Sequence, residues 1–275
     1  MKYVKLAGQL MASLLKSPGT FMRILNMVPA MCHARDYANT FKNRDREVTG
    51  DFIPQDPNPL WEYFKQNTKG PGIWKWNHYF DVYHRHFQKF IGKKSSILEV
   101  GVFSGGSLGM WKNYFGPECQ VYGMDIEPAC KVYEKIGAKI FIGDQESRAA
   151  WSAIKKELPE LDMLIDDGGH TVEQMMVTCE EMLPFLRPGG VFICEDIHGN
   201  YNKFAAFAGS LVQELNLVEK PCPAFQSAVY SVHFYPFQVV FEKHGPPVSG
   251  LPPCKNGTEW QPFFDWMPTA PTKQG

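Results

Sequence analysis

Two short acidic motifs carry the strongest chemical signal in the chain, Asp166-Asp167-Gly168-Gly169-His170 and Glu195-Asp196-Ile197-His198. Each follows an apolar run, LDMLI or GVFIC, so each closes a short strand predicted to be buried. If the two strands are neighbours, about 5 Å apart, the acids at their carboxyl ends converge. No basic residue stands within either motif, and four converging carboxylates repel one another strongly. A bound cation is the simplest remedy. Oxygen-only ligands select a hard ion, Mg2+ with Mn2+ or Ca2+ as alternatives, over zinc. The competing reading, acids on ordinary loops facing water, does not account for their clustering at strand ends. Thr171 and Gln174 form a capping box, so a helix begins directly after His170. An imidazole at that place is the candidate general base. His198 is the candidate to orient a ligand carboxylate from behind.

A second motif, Glu99-Val-Gly-Val-Phe-Ser-Gly-Gly-Ser107, sits between a strand and a helix, where open α/β sheets bind nucleotide-like ligands. Its spacing is G-x-x-x-G-G, not the G-x-G-x-x-G of dinucleotide binding. Gly101 and Gly105 permit a tight turn and close backbone approach, and Glu99 suits a cationic ligand better than a pyrophosphate. A glycine turn alone is weak, since it also serves a plain strand-to-helix corner. The following strands strengthen it. Asp125 ends the second, where such folds place a carboxylate on ribose hydroxyls, and Asp144-Gln145 follows the third, in position to flank an adenine.

These motifs need a scaffold that lines up strand ends. From Ser96 to Phe241 short apolar runs (ILEVG, QVYGMD, KIFIG, LDMLIDD, GVFICED, AVYSVHF, FQVVFEK) alternate with helical patterns starting near Ser107, Pro128, Ser147, Thr171 and Tyr201. That alternation predicts an α/β fold, a seven-stranded, mostly parallel sheet flanked by helices and closed by an antiparallel pair around Pro236. Upstream, Asn58-Pro59 reads as a helix cap and first turn, and aromatic residues from Trp76 to Phe90 recur at helical spacing. Residues 32–58 read as a linker or lid, residues 4–30 as an amphipathic helical arm, and the Pro- and Gly-rich residues 244–275 as a surface tail. The expected organisation is an arm and linker over 1–71, a catalytic domain over 72–243 and a tail over 244–275.

Composition narrows the function classes. With 28 basic and 29 acidic residues among 275, the chain has no electrostatic footprint for nucleic acid, and a small-molecule partner is expected. Seven cysteines, an odd number with no CxxC pair, suggest neither a zinc site nor a disulfide framework. Reduced thiols in a cytoplasm are expected, with no transmembrane segment, because Gln9, Ser13 and Lys16 interrupt the N-terminal apolar stretch. The arm predicts a homo-oligomer, since its apolar face would otherwise be exposed, although packing on its own domain or on a membrane surface also fits.

The runs ILEVGVFSGGSLGMW, VYGMDI, GDQ, LDMLIDDGGH and RPGGVFICEDIH, with Lys75-Trp-Asn-His-Tyr before them, resemble the macrocin and mycinamicin sugar O-methyltransferases, a family grouped with cephalosporin hydroxylase-like proteins. The resemblance covers residues 72–242. It implies a class I, Rossmann-like methyltransferase that binds S-adenosylmethionine (SAM) and Mg2+ (or Mn2+) and methylates a hydroxyl of a sugar or other vicinal-diol acceptor on a glycoside, natural product or glycolipid. It implies Asp167, Glu195 and Asp196 as metal ligands and His170 as base. The SAM-contacting set is then Glu99, Gly101, Gly105, Ser107, Asp125, Asp144, Gln145 and Asp166. One position departs from the family, where an Asp often precedes the lysine: here Trp74 precedes Lys75, the candidate to reach the SAM carboxylate or the substrate. The alternatives are a catechol-type phenolic O-methyltransferase, separable by acceptor panel, and a non-catalytic SAM-binding scaffold, against which the intact acids and His170 stand.

Overall fold

The computed structural model describes residues 2–43, 50–199, 202–254 and 256. Its seven strands are β1 (Ser95–Val100), β2 (Cys119–Asp125), β3 (Lys139–Ile142), β4 (Leu161–Asp166), β5 (Leu186–Cys194), β6 (Val229–Tyr235) and β7 (Gln238–Lys243). They form one sheet in the order β3-β2-β1-β4-β5-β7-β6. The first five run parallel, while β7 pairs antiparallel with both β5 and β6, turning back at Pro236-Phe237. The expected α/β architecture is the one observed.

Alternation within each strand divides the interior into two layers. Ile97, Met163, Ile165, Val191, Ile193 and Val240 face one core, completed by α3 (Pro59–Gln66), α4 (Tyr79–Phe87) and α5 (Gly106–Phe115). Leu98, Val100, Leu164, Phe192, Cys194 and Phe241 face the other, against α6 (Arg148–Ile154), α7 (Val172–Met182) and α8 (Lys203–Leu215). β1 and β4 are buried along their whole length, which explains why they read as unbroken apolar runs.

Strand register does the positioning. Val100 pairs with both Met124 and Asp166, and Asp166 pairs in turn with Cys194. The next residues, Gly101, Asp125, Asp167 and Glu195, therefore stand in one row at the carboxyl edge. The chain order reverses between β1 and β4, so this row crosses the place where open α/β sheets bind their ligands.

Several local expectations are revised. The chain does not become irregular at residue 32. After α1 (Lys2–Lys16), α2 (Pro18–Asn39) continues into a 3-10 turn over Thr40–Asn43. The polar side chains that suggested a linker lie on the last turns of a helix with no buried residue, where solvent accommodates them. The aromatic helix is shorter than Trp76–Phe90, because Trp76 precedes its first turn and Gln88–Phe90 is a 3-10 turn. The helix after β2 is a 3-10 helix over Pro128–Ile136. Tyr201 lies outside the described residues, and α8 starts at Lys203 with Asn202 as its cap. Asn58 caps α3 as expected, accepting from the Leu60 and Trp61 N–H groups at 3.1 and 3.3 Å.

Two compact units are distinguished, Met1–Asp51 and Phe52–Gly275. Within the first, Leu6, Leu10, Leu15, Ile24 and Leu25 are exposed. No helix among the described residues is long and apolar enough to cross a membrane, and all seven cysteines are free thiols. Of the C-terminal tail, residues 244–254 carry no regular element, and the rest, residue 256 excepted, lies outside the described residues.

Candidate functional site

A cavity of about 710 Å³ opens along the carboxyl edge of the sheet, within the ~300–1,000 Å³ range of small-molecule sites. Gly101, Asp125, Asp144, Gln145, Asp167, His170, Glu195, Asp196 and His198 line it. At one end Phe103, Met124 and Ile126 give it an apolar wall, and at the other Trp74, Trp76 and Tyr79 close around the acids.

The glycine loop is shaped by its neighbours in the chain. Gly101 has φ +87°, and a Cβ there would lie 1.9 Å from the Asp167 carbonyl oxygen. Gly106 has the Gly72 carbonyl at 2.3 Å from its Cβ position. Both glycines are needed for backbone to pass backbone, so the close approach expected for a ligand is made first by the protein itself. Asp125 clamps the same loop, its Oδ2 accepting from the Val102 and Phe103 N–H groups at 2.9 and 3.0 Å. Its Oδ1 accepts from the Glu127 N–H at 2.9 Å, yet the side chain still faces the cavity with lone pairs to spare.

Four residues of the expected cofactor-binding set are placed behind the wall. Glu99, 1% exposed, accepts from Ser107 Oγ at 2.6 Å and from Trp111 Nε1 at 3.1 Å. Ser107 is thereby spent on Glu99, and Gly105 backs onto the Tyr133 ring. Asp166 is buried, held through Oδ1 by Gln145 Nε2 at 3.0 Å, and burial pushes its carboxyl up to about 7 against that bond. Its Oδ2 is buried without a hydrogen-bond partner among the described residues. Gln145 also accepts from the Gly169 N–H at 2.8 Å, which fixes the Gly168-Gly169 turn below His170.

At the acidic end the structure supplies what the two motifs lacked, a cation. Lys75 Nζ lies 2.5 Å from Asp167 Oδ2, 3.0 Å from Glu195 Oε2 and 3.2 Å from Glu99 Oε1. Lys75, Glu99 and Glu195 are all buried, with side-chain exposures of 3%, 1% and 0%. Burial works against the lysine charge, but the three carboxylates outweigh it and hold its pKa well above the ordinary value. Burial raises Glu195 to about 8, opposed by the attraction of Lys75. The expectation that the acids meet without a basic partner is therefore corrected, because sequence distance hid a lysine 92 residues before Asp167.

Helix α4 reaches the same acids with hydroxyls. Tyr79 donates to Asp196 Oδ1 at 2.8 Å, Trp76 Nε1 donates to that oxygen at 3.0 Å, and Tyr83 donates to Glu195 Oε1. Glu195 thus has both oxygens engaged, by Tyr83 and Lys75. Among the described residues, two oxygens remain unspent, Asp167 Oδ1 and Asp196 Oδ2, and both face His170 Nε2, at 3.9 and 3.6 Å. One donor atom from each of Asp167, His170 and Asp196 lies within 4.8 Å of the others, a group of ion-holding size that Glu195 does not join. His198, expected to orient a ligand carboxylate from behind, instead lines the cavity, with Nε2 3.9 Å from Asp196 Oδ2, beyond hydrogen-bond reach.

Backbone strain marks the same place. Non-glycine residues with positive φ among those described are Phe103, His170, Asp196 and Phe237. The first three line the cavity, and Phe237 packs on Trp76 and His198 with ring centroids 5.0 and 5.7 Å apart. Such conformations cost about 1–3 kcal/mol each and concentrate at functional sites. Lys75, Trp76, Tyr79 and Tyr83 are the site residues that sequence reasoning under-used. The signal available was tyrosines at i and i+4, each with a hydroxyl needing a partner once buried.

Comparison with known proteins agrees with the motif resemblance. A family model described as a methyltransferase domain matches residues 98–197. Mycinamicin VI 2''-O-methyltransferase of Micromonospora griseorubida is 33% identical over 126 residues, 43% of this chain and 31% of that protein. An 8-demethyl-8-alpha-L-rhamnosyl tetracenomycin-C 2'-O-methyltransferase of Streptomyces olivaceus is 29% identical over 201 residues, 63% of this chain and 52% of its own length. The chain thus spans between about a third and about half of these curated relatives. The structure of MycE methyltransferase in complex with Mg, SAH and mycinamycin VI superposes with a TM-score of 0.62 at 22% identity, over 80% of this chain and 58% of that one, a likeness of fold.

Proposed function

We propose that the chain is a SAM- and divalent-metal-dependent O-methyltransferase acting on a hydroxyl of a sugar or similar vicinal-diol acceptor. The observation that carries this reading is the pairing, in one cavity, of the strand-end carboxylates Asp125 and Asp144 with an acidic end where two unspent carboxylate oxygens face a histidine. Relatives named as sugar O-methyltransferases support it. The donor chemistry suits a hard cation, with Asp167 and Asp196 presenting oxygens to the cavity. Glu195, the third expected ligand, has each oxygen already accepting one hydrogen bond, from Tyr83 and from Lys75. When bound, SAM supplies an electrophilic methyl group, and the ion stabilises negative charge on the acceptor oxygen.

The protein's own groups then have separable tasks. Asp125 holds ribose hydroxyls and the glycine loop together. Trp76 and Tyr79 fix Asp196, leaving Oδ2 to the cavity. His170, 35% exposed, takes the acceptor hydroxyl proton. The test is incubation with isotopically labelled SAM and a panel of glycosides and catechols, with mass spectrometry of the products. Label on a glycoside is expected, and Asp125→Ala should lose SAM affinity in calorimetry. Label on catechols alone would move the chain to the phenolic class, and SAM binding without turnover on any acceptor would make it a scaffold.

The exposed apolar side chains of α1 and α2 are proposed to be covered by a second copy of the chain. Deleting residues 1–43 should then lower the mass seen by light scattering. A monomer both with and without those residues removes the idea.

A further inference from the structure

The face of α4 that sends Tyr79 and Tyr83 to the acids continues to His86, three residues on. His86 is buried, its Nδ1 3.1 Å from Glu242 Oε1 on β7 and its Nε2 3.0 Å from the Tyr235 hydroxyl on β6. On the other side of the same carboxylate, His233 Nε2 stands 3.5 Å from Glu242 Oε2. One donor atom from each of His86, His233 and Glu242 lies within 4.8 Å of the others. Around a tetrahedral ion with bonds of about 2.0–2.1 Å, donors stand roughly 3.3 Å apart. His86 faces Oε1 and His233 faces Oε2, each at a separation near that value, so the carboxylate stands between the two rings. We propose that His86, His233 and Glu242 form a binding site for a divalent transition metal of the zinc type, separate from the acidic cavity, of whose lining they are no part.

The donor set argues for that metal class. Two imidazoles and one carboxylate are borderline ligands suited to Zn2+ or Co2+, whereas the acidic cavity offers mostly hard oxygens. Binding replaces the proton held between His86 Nδ1 and Glu242. The Tyr235 hydroxyl can rotate from donor to acceptor, so it can receive the Nε2–H that a metal-bound Nδ1 requires. Ser231 Oγ, 2.9 Å from His233 Nε2 and 3.3 Å from Glu242 Oε2, stands beside the remaining coordination position, which it or water fills. Lys89 competes for the carboxylate, with Nζ 3.6 Å from Oε1, but its side chain is 43% exposed and free to turn into solvent.

Such an ion would pin α4 to the β6–β7 hairpin. The same two elements meet again nearer the cavity, where the Tyr79 hydroxyl lies 3.2 Å from the Phe237 carbonyl and 2.8 Å from Asp196. The plain alternative is a metal-free hydrogen-bonded network doing the same joining.

Cobalt distinguishes them, because four-coordinate Co2+ has visible absorption that six-coordinate Co2+ lacks in strength. The full chain is titrated with Co2+ in saturating Mg2+, as wild type and as the Asp167→Asn/Asp196→Asn variant, which removes the competing acids. One equivalent of four-coordinate Co2+ is expected in both. Adding His233→Ala, whose side chain is 37% exposed and can be truncated without opening the core, should abolish the band. Tyr235→Phe should weaken affinity about 10-fold. Far-UV circular dichroism confirms that each variant is folded. Absence of the band in wild type, its survival in His233→Ala, or its loss in Asp167→Asn/Asp196→Asn alone would each overturn the proposal.

Discussion

Lys75→Ala is expected to destabilise the protein by about 3–5 kcal/mol, the cost of removing one partner from a buried ion cluster. Lys75 contacts three carboxylates, and two of them, Glu99 and Glu195, are buried. Removing the ammonium leaves those buried groups either charged without compensation or protonated at a cost. A surface lysine would show nothing comparable, since exposed ion pairs contribute about 0–1 kcal/mol. Added Mg2+ should restore part of the lost melting temperature in Lys75→Ala, and more than it adds to the wild type, because a cation at Asp167 takes over part of the neutralisation. Chemical denaturation reads the first quantity and thermal melts with and without Mg2+ the second. A loss below about 1 kcal/mol would mean that the carboxylates are hydrated or share their charge in some other arrangement.

Lys75 also shows where the sequence stops being informative. The acids at residues 166–167 and 195–196 are legible because strand ends converge by geometry that applies to any parallel sheet, and the register puts Asp167 and Glu195 in one row. The strands themselves are legible because β1, β4 and the second half of β5, residues 190–194, are buried on both faces and read as apolar runs. A lysine in an irregular segment before α4 carries no such mark. Its partners lie 24, 92 and 120 residues away, and no local pattern encodes contacts of that range. Glu99 differs from its expected place for a related reason. Its position before the glycine loop reads as facing a ligand, but an i, i+2 alternation sends Glu99 into the layer of Ile97, toward Trp111 and Ser107. The arm is legible as helix and not as to its extent, because α2 has no buried face whose periodicity could mark its end.

The largest effects are expected in methyl transfer itself. An alcohol at neutral pH is a poor nucleophile until its proton leaves, so the site must both stabilise an alkoxide and accept a proton. Asp167→Asn and Asp196→Asn each remove one of the two unspent oxygens that face His170, while leaving Asp125 and Asp144 untouched. Both variants should keep SAM affinity in calorimetry and lose turnover, and EDTA should do the same to the wild type, reversibly on adding Mg2+. His170→Ala should lower kcat by about 10²- to 10⁴-fold, the contribution typical of one general base, with SAM binding retained. The ring is half-exposed and its backbone holds φ +58°, so the truncation removes little packing and its effect reads on chemistry more than on folding. Asn at this position, which tolerates positive φ, is the control that separates the two, and it should be as inactive as alanine while at least as stable. Full turnover in EDTA would overturn the metal dependence. Full turnover of His170→Ala with metal dependence intact would instead transfer the proton to another group at the cavity, with His198, 3.9 Å from Asp196, the next to be replaced.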